Sequence, residues 1–210
     1  SLIIPKANLS GDHQVMNAIS MQDSGASDIL YEEVMPEDGK LYIKVEGKKL
    51  ADKILYYYNN RAGLSEMSKR SYDSVIRNAN DEIYNFIKDI SEGKPHESGV
   101  YPQPQKNIYA EMNAYAIHRS LRKLSSEEIR QSEYYSYLAY RASHYLVSGN
   151  WNIKNVGVKI CGLLRDESKI PLLSRIFNSE KKGFIRRNII EAYLKIGVYN
   201  DNVESDIFTA

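Results

Sequence analysis

Hydrophobic residues recur at steps of three and four along most of the chain, which is the period of an amphipathic helix. The clearest run predicts one helix that includes Tyr72 to Ile90, with Ser65 available to cap its start and Gly93 to end it. A similar run after Lys48 predicts an earlier helix that ends at Gly63. The pattern therefore predicts a mainly α protein.

The second half of the chain continues this helical period. One helix is predicted from Ile108 to Leu124, and a long tyrosine-rich helix should then run to Val147. Ser125 and Glu128 have the spacing of a capping box at the start of the long helix. The Ser-Gly-Asn sequence at 148–150 is expected to end it.

The N-terminal residues follow a different pattern. Residues 1–28 show neither helical nor strand period, which predicts an extended or partly disordered arm. Ile29 to Met35 and Leu41 to Glu46 are short runs with β-branched residues, joined by a Pro-Glu-Asp-Gly-Lys turn sequence. They predict a β-hairpin, which should rest on the helices because two strands alone are marginal in water.

Four regions follow from these patterns. They are an acidic arm with a β-hairpin (1–47), a helical hairpin module (48–93), a Pro-rich linker (94–106) and a helical repeat module (107–210).

Two segments of the C-terminal half repeat one another without a gap. Residues 153–164 align with residues 185–196 at an offset of 32 residues, and both begin with an aliphatic residue followed by a basic one. An acidic turn and a short helix, with Pro171 in its first turn, lie between them. This arrangement resembles the HEAT repeat family, in particular its short bacterial-type variant, over about residues 126–210.

The resemblance implies a right-handed α-solenoid of HEAT-like helical hairpins, preceded by the N-terminal arm with its short β-hairpin. It also implies that Lys154 and Arg186 tie neighbouring hairpins together by reaching an acidic turn such as Asp166. Cys161 and Tyr193 stand where Leu is usual in the family, which affects packing details rather than the fold. Because stacked repeats bury their faces against neighbours, the last repeat should need a cap, a partner or further sequence.

The overall net charge of +1 conceals an uneven distribution of charge. Residues 1–104 carry 12 basic and 16 acidic residues, whereas residues 105–210 carry 16 basic and 11 acidic ones. Residues 12–38 are either a solvated acidic tail or an arm that covers the basic repeats and competes with a ligand for them. The acids of this stretch are Asp12, Asp23, Asp28, Glu32, Glu33, Glu37 and Asp38.

The sequence lacks the common catalytic and phosphate-binding motifs, so no catalytic, cofactor or metal site is predicted, and an enzyme is the less favoured interpretation. Cys161 is the single cysteine and falls on a core position, which predicts an inert thiol. His118 and His144 are interpreted as structural. No apolar stretch is long enough to cross a bilayer, and the cytoplasm is the default compartment.

Two sets of residues are candidates for partner binding. Lys159, Lys181, Lys182, Arg187 and Lys195 are predicted to form a basic strip on the second-helix surface, which is concave in HEAT solenoids. Tyrosine is unusually common, at 17 residues, and Tyr134 and Tyr137 are candidates for an aromatic contact surface. The alternative for the basic residues is a solvated helix face without a partner. The alternative for the tyrosines is that they fill half-buried packing positions.

These patterns favour a non-enzymatic module that binds a protein or peptide partner. The alternative is a nucleic-acid-binding HEAT-like protein that uses the basic strip, since a subset of that family excises modified bases. The salt dependence of binding would distinguish the two functions, because binding to phosphate chains weakens steeply with ionic strength. The sequence does not determine the oligomeric state.

Overall fold

Helices make up most of the part of the chain that the computed structural model describes, which is residues 1–7, 12–74, 79–94, 107–197 and Glu204. The helices are α1 (His13–Asp23), α2 (Gly47–Asn59), α3 (Arg61–Asp73), α4 (Ala79–Ser91), α5 (Ala114–Leu121), α6 (Ser126–Gln131), α7 (Tyr135–Leu146), α8 (Trp151–Leu164), α9 (Ile170–Ser179) and α10 (Gly183–Ile196). The strands are β1 (Leu2–Ile3), β2 (Asp28–Ile29), β3 (Glu33–Glu37) and β4 (Lys40–Lys44). The predicted mainly α fold is confirmed.

The N-terminal segment folds as a small β-α-β unit. β1 and β2 pair in parallel, and α1 connects them. Val15, Ala18 and Ile19 of α1 are buried in the core. The prediction of an extended arm over residues 1–28 is therefore wrong. Polar Asn, Ser and Gln residues obscure the helical spacing of these three apolar side chains, and packing rather than helix propensity stabilises α1.

The predicted β-hairpin is confirmed, with shorter strands than expected. β3 and β4 pair antiparallel, and Pro36 lies opposite Leu41. The turn places Asp38 at φ 46° and Gly39 at φ 73°, both in the left-handed region. Two successive left-handed residues form the hairpin turn that matches the twist of the strands, and Asp-Gly is a preferred sequence for it.

β3 lies against both α7 and α9, so the hairpin does rest on helices. The backbone N–H of Val34 donates to the Ser143 hydroxyl on α7 at 3.3 Å. Glu33 forms a buried ion pair with Lys169, which directly precedes α9. Lys49 of α2 lies 2.7 Å from the other carboxylate oxygen of Glu33. One strand thus connects α2 to the helical repeats.

The two repeated segments form helices of equal length. α8 and α10 each have 14 residues and begin 32 positions apart. Ile160 and Ile189 are fully buried, as predicted for core positions. Pro171 lies in the first turn of α9, and Gly197, at φ 80°, follows the end of α10.

α8 is the central helix of this half, because it packs against α7 on one side and α10 on the other. Two glycines permit the close approach. A Cβ on Gly157 would lie 2.8 Å from the Cβ of Tyr145 on α7. A Cβ on Gly162 would lie 3.1 Å from the Cα of Ala192 on α10. The helix backbones are therefore in direct contact at these points.

Several predicted helix boundaries in the first half are wrong. α2 ends at Asn59, and Gly63 lies inside α3. The side chain of Asn60 caps α3 by accepting a hydrogen bond from the Gly63 N–H at 2.9 Å, so Ser65 is not the cap. α3 ends at Asp73 and α4 begins at Ala79, so residues 72 to 90 are not one helix.

The predicted end of α4 is confirmed, since Gly93 follows it at φ 66° and its N–H donates to the carbonyl of Ile90. Val75 and Ile76, two apolar residues of the single helix predicted over Tyr72 to Ile90, fall outside the described residues.

The tyrosine-rich helix is divided in two. Ser125 and Glu128 form the predicted capping box of α6. The backbone is extended at Ser132, where ψ is 132°, and α7 starts only at Tyr135. The preceding helix is also shorter than predicted, because the Asn113 side chain caps α5 by accepting from the Ala116 N–H at 3.0 Å.

Residues 95–106 of the predicted linker fall outside the described residues. Among the helices that are described, none has the length and apolar character needed to cross a bilayer.

Candidate interaction surfaces

The acidic stretch does not lie over the predicted basic strip. Its carboxylates pair with basic groups that the N-terminal fold brings close. The pairs are Glu32 with Lys6, Asp28 with Lys53, Glu37 with Lys44, and Glu33 with Lys49 and Lys169. These ion pairs engage four of the seven acids, whereas the predicted competition between this stretch and a ligand of the strip stays a prediction.

Basic side chains from α5, α8 and α10 form a cluster on one face of the repeats. Burial, followed by the charges of Lys159, Arg122 and Lys195, lowers the pKa of His118. The stem of Lys195 crosses to α8, and its Cδ would lie 3.3 Å from a Cβ on Gly162. We call His118, Arg122, Lys159 and Lys195 the basic cluster. Lys159 and Lys195 of this cluster were predicted as part of the basic strip, whereas His118 and Arg122 were not.

The other three predicted basic residues lie elsewhere on or beside α10. Lys181 and Lys182 are exposed before its first turn, and the Lys182 ammonium lies 5.3 Å from the centre of the Trp151 ring. Arg187 is exposed, with its Nε 3.9 Å from a carboxylate oxygen of Glu191. At a rise of about 1.5 Å per residue, Lys182 lies about 20 Å from the basic cluster along α10. Two of the five predicted strip residues therefore lie in the basic cluster, and the other three lie nearer the start of α10.

The basic repeat positions have different partners from those implied by the HEAT resemblance. Lys154 pairs with Glu180 at 3.1 Å, in the turn between α9 and α10. The guanidinium of Arg186 lies 4.4 Å from the centre of the Phe177 ring. Asp166 instead accepts from Ser168 and lies 3.4 Å from Lys169. Lys154 thus joins the two hairpins as expected, through a different acid.

The two candidate tyrosines differ in accessibility. Tyr137 is 2% exposed, so it belongs to the core. The prediction that it binds a partner is therefore wrong. The reason is Tyr31, just before β3, which covers α7 and packs edge-on against the Tyr137 ring at 5.8 Å. Tyr31 also stacks on Tyr140 at 5.1 Å. Tyr134 is half-buried and packs edge-on against Tyr109 at 5.6 Å.

Arg141 on α7 is surrounded by tyrosines. Its Nη1 donates to the Tyr137 hydroxyl at 2.8 Å, and its Nε donates to the Tyr145 hydroxyl at 2.9 Å. Its Nη2 also donates to Tyr145 and lies 3.5 Å from the carbonyl of Met112. Burial raises the pKa of both tyrosines, while the neighbouring guanidinium lowers it. We call Arg141, Tyr137 and Tyr145 the arginine cage.

His144 and Cys161 occupy structural positions. The Nδ1 of His144 lies 2.9 Å from the Tyr140 carbonyl, and burial lowers the pKa of the imidazole. Cys161 is fully buried, and burial raises the pKa of its thiol far above its ordinary value, as expected for an inert side chain. Over the described ranges, no group of three or more His, Cys, Asp or Glu residues is arranged to hold a metal ion.

Many large apolar side chains are exposed on α2, α3 and α4, none of which contains a buried residue. The exposed large apolar side chains of these helices are Ile54, Leu55, Tyr56, Tyr58, Tyr72, Ile83, Tyr84, Phe86, Ile87 and Ile90. The sequence analysis identified these positions as helical but did not select them as a site. Periodicity reveals that a helix has an apolar face, not what covers that face.

The chain is similar to part of a sugar transferase. The UDP-N-acetylglucosamine--N-acetylmuramyl-(pentapeptide) pyrophosphoryl-undecaprenol N-acetylglucosamine transferases of Acetivibrio thermocellus and Alkaliphilus oremlandii are each 31% identical to it over 94 residues. The match covers 45% of this chain and 23% of each transferase. The chain thus matches about a quarter of the length of these relatives. No family model and no solved structure matches it.

Proposed function

We propose that the chain is a non-enzymatic protein-interaction module whose N-terminal segment packs against the α/β domain of a nucleotide-sugar transferase. The observation that carries this proposal is the apolar surface of α2 and α4. Ile54, Ile83 and Ile87 are 55%, 58% and 60% exposed, although each lies on the apolar face of its helix. Exposed apolar helix faces of this kind are typical of protein–protein contact sites.

The nature of the partner is supported by the N-terminal segment. The 94-residue transferase match is one support, and we propose that it falls in the N-terminal segment. This segment contains the parallel β-α-β unit, which is the repeating unit of α/β sheets. Parallel sheets are normally covered on both faces, and β1 and β2 are only two residues long. Such a small sheet gains stability by joining a larger one.

The helical half serves as the scaffold in this proposal. We assign α7 to α10 to a right-handed solenoid of HEAT-like hairpins, supported by the equal lengths of α8 and α10 at an offset of 32 residues. The ion pairs of Glu33 with Lys169 and Lys49 fix the N-terminal segment on this scaffold. The scaffold thereby holds α2 in a defined orientation for the partner.

Photo-crosslinking in cells that naturally make the protein tests the proposal. p-Benzoylphenylalanine replaces Tyr58 or Ile87, with the exposed Glu127 on α6 as the control position. We expect crosslinks from positions 58 and 87 to a nucleotide-sugar transferase sequence, on the same or another polypeptide. Crosslinks to other classes of protein only, or none at either position, would contradict the proposal.

A matched pair of variants tests whether the apolar face makes the contact. Ile87→Asp places a carboxylate on the apolar face of α4 and should reduce the crosslink yield from position 58. Asn85→Asp introduces the same change of charge about 200° around the helix, on the exposed polar side, and should leave the yield unchanged. Equal crosslink yields from the two variants would mean that the apolar face of α4 does not contact the partner.

The basic cluster favours nucleic-acid binding as a second candidate function. Three cations face His118 and lower its pKa, so a bound polyanion should raise that pKa, which an NMR titration measures. The logarithm of the binding constant for duplex DNA falls linearly with the logarithm of the salt concentration. Lys159→Gln and Lys195→Gln should each make this slope shallower by about one. Lys181→Gln, at the other end of α10, is the control. A slope unaffected by all three substitutions would reject this candidate.

A further inference from the structure

We propose that β4 is a docking site for an extended, acidic segment of another polypeptide, which joins the hairpin as a third strand. The site is built from β4 rather than from α2 and α4, so it goes beyond the proposed function, and either assignment can fail without the other. It rests on three observations, which are an open backbone edge, exposed apolar side chains along that edge and a lysine at each end of it.

The first observation concerns the direction of the backbone groups in the hairpin. Antiparallel strands alternate between residue pairs that exchange hydrogen bonds and pairs whose backbone groups point away from each other. Val34 and Ile43 form a pair of the second kind, because the N–H of Val34 turns away from β4 and donates to Ser143 on α7. The same alternation turns the N–H and carbonyl groups of Leu41 and Ile43 away from β3.

The outer edge of β4 is exposed. Leu41, Tyr42 and Ile43 are 43%, 40% and 36% exposed, and β4 packs mainly against β3. Apart from the ladder with β3, the backbones of Leu41 and Ile43 make no hydrogen bond to another described residue. N–H donors and carbonyl acceptors therefore face outward at the spacing of a β-ladder. The ligand that matches such a row of groups is another extended backbone.

The second observation is the pattern of side chains along β4. Successive side chains of a strand point to opposite faces, so Leu41 and Ile43 share one face of the hairpin. Tyr42 and Lys44 share the other, and the Lys44 ammonium lies 5.8 Å from the centre of the Tyr42 ring. Residues of an added strand that lie opposite Leu41 and Ile43 gain apolar contacts. The docked segment is therefore apolar at two positions separated by one residue.

The third observation is the lysine at each end of β4. Lys44 pairs with Glu37 at 2.5 Å, whereas Lys40 has no ion-pair partner within the described ranges. Opposite charges directly across two strands stabilise their pairing, and like charges destabilise it. A segment with acidic residues opposite both lysines thus fits β4 best.

The same charges disfavour pairing with a second copy of this chain. An antiparallel pair of β4 strands centred on Tyr42 would place Lys40 opposite Lys44 of the second copy at both ends. Lysines on edge strands are one means by which natural sheets avoid such self-pairing. The charge pattern therefore assigns the open edge to a different, acidic polypeptide.

NMR titration of the full chain with a synthetic peptide tests the site. The central sequence of the peptide is Glu-Val-Thr-Val-Glu, which places valines opposite Leu41 and Ile43 and acids opposite the two lysines in either strand direction. We expect saturable binding that protects the amides of Leu41 and Ile43 from hydrogen exchange. The amide of Tyr42 already faces β3 and should keep its protection unchanged. A peptide with lysines in place of both acids should bind severalfold more weakly.

Substitutions in β4 separate the contribution of the backbone from that of the charges. Ile43→Pro removes an N–H that the hairpin does not use, so the hairpin should persist while peptide binding weakens about tenfold. Ile43→Ala keeps this N–H and should weaken binding less. Lys40→Gln should weaken binding severalfold, whereas Lys123→Gln, at an exposed position after α5, is the control and should leave the affinity unchanged.

Four results would overturn the proposal. The first two are the absence of saturable binding and equal affinity for the acidic and the lysine-containing peptides. The third is a folded Ile43→Pro variant that binds as tightly as Ile43→Ala. The fourth is self-association of the wild type that Ile43→Pro abolishes, which would assign the edge to a second copy. If Ile43→Pro does not fold, as judged by circular dichroism, unchanged peptide affinity of Lys40→Gln would reject the site.

Discussion

Gly157 determines how closely α8 approaches α7. Any side chain there would overlap the Cβ of Tyr145 and approach the Leu146 backbone N–H nitrogen to 3.0 Å. Because these are backbone or near-backbone atoms, they cannot move aside as the end of a flexible side chain would. The aligned position in α10 is Ile189, so the two repeated helices pack differently at the same register.

We expect Gly157→Ala to lower the free energy of unfolding by about 1–3 kcal/mol, because it overpacks the α7–α8 contact. Gly183→Ala, at the start of α10, meets nothing within 4 Å and should be neutral or slightly stabilising. Urea denaturation of both variants provides the comparison. A Gly157→Ala protein as stable as the wild type would show that the helices can separate at little cost.

Ile189 is the corresponding core residue of α10 and is fully buried. Ile189→Ala should lower the free energy of unfolding by about 2–5 kcal/mol through the cavity that it leaves. Leu194→Ala removes a similar side chain from a position that is 73% exposed, and should change stability by less than about 1 kcal/mol. Thermal melts distinguish the two, and similar losses would mean that Leu194 is covered in solution.

At the scale of elements, an ion pair between Glu33 of β3 and Lys169, just before α9, links the N-terminal segment to the C-terminal helices. Both Glu33 and Lys169 are at least 95% buried. Lys169→Met leaves Glu33 buried with Lys49, 2.7 Å away, as its remaining partner among the described residues, so the variant should cost up to about 3–5 kcal/mol of unfolding free energy. The double variant Lys169→Met with Glu33→Leu should recover most of that loss.

The exposed pair of Lys6 and Glu32 gives the control for this experiment. Lys6→Met should cost no more than about 1 kcal/mol, because the Lys6 side chain is 58% exposed and solvent screens the pair. Chemical denaturation of the four proteins completes the set. A double variant no more stable than Lys169→Met would mean that lost packing, rather than an uncompensated charge, explains the effect.

The sequence predicted the elements whose signals are local. The capping box at Ser125, the Asp-Gly turn of the hairpin and the offset between α8 and α10 all depend on residues close in the chain. Each was found where expected.

What the sequence could not predict depends on residues far apart. α1 is helical because the core accepts Val15 and Ile19, and Tyr137 is buried because Tyr31 lies on it. Neither contact leaves a periodic signal in the sequence. The same reason explains the basic cluster, since it combines side chains on or next to α5, α8 and α10, which are distant in sequence.

At the scale of the whole molecule, burial is distributed unevenly. α8 and α10 contain many fully buried side chains, whereas α2, α3 and α4 contain none. We therefore expect amide hydrogens of α8 and α10 to exchange with solvent far more slowly than those of α2 to α4. Hydrogen-exchange mass spectrometry measures this difference. Equal protection in both sets would mean that α2 to α4 are packed in the isolated chain.

The separation in sequence between β3 and its partners has a consequence for synthesis. Glu33 and Lys169 are 136 positions apart, so at about 5–20 residues per second a ribosome adds Lys169 roughly 7 to 27 s after Glu33. During that interval α9 has not been made and α7 is completed only towards the end, and a two-stranded hairpin alone is marginally stable. β3 is thus synthesised well before its partner Lys169, and nascent chains halted before α9 should leave Glu33 in water.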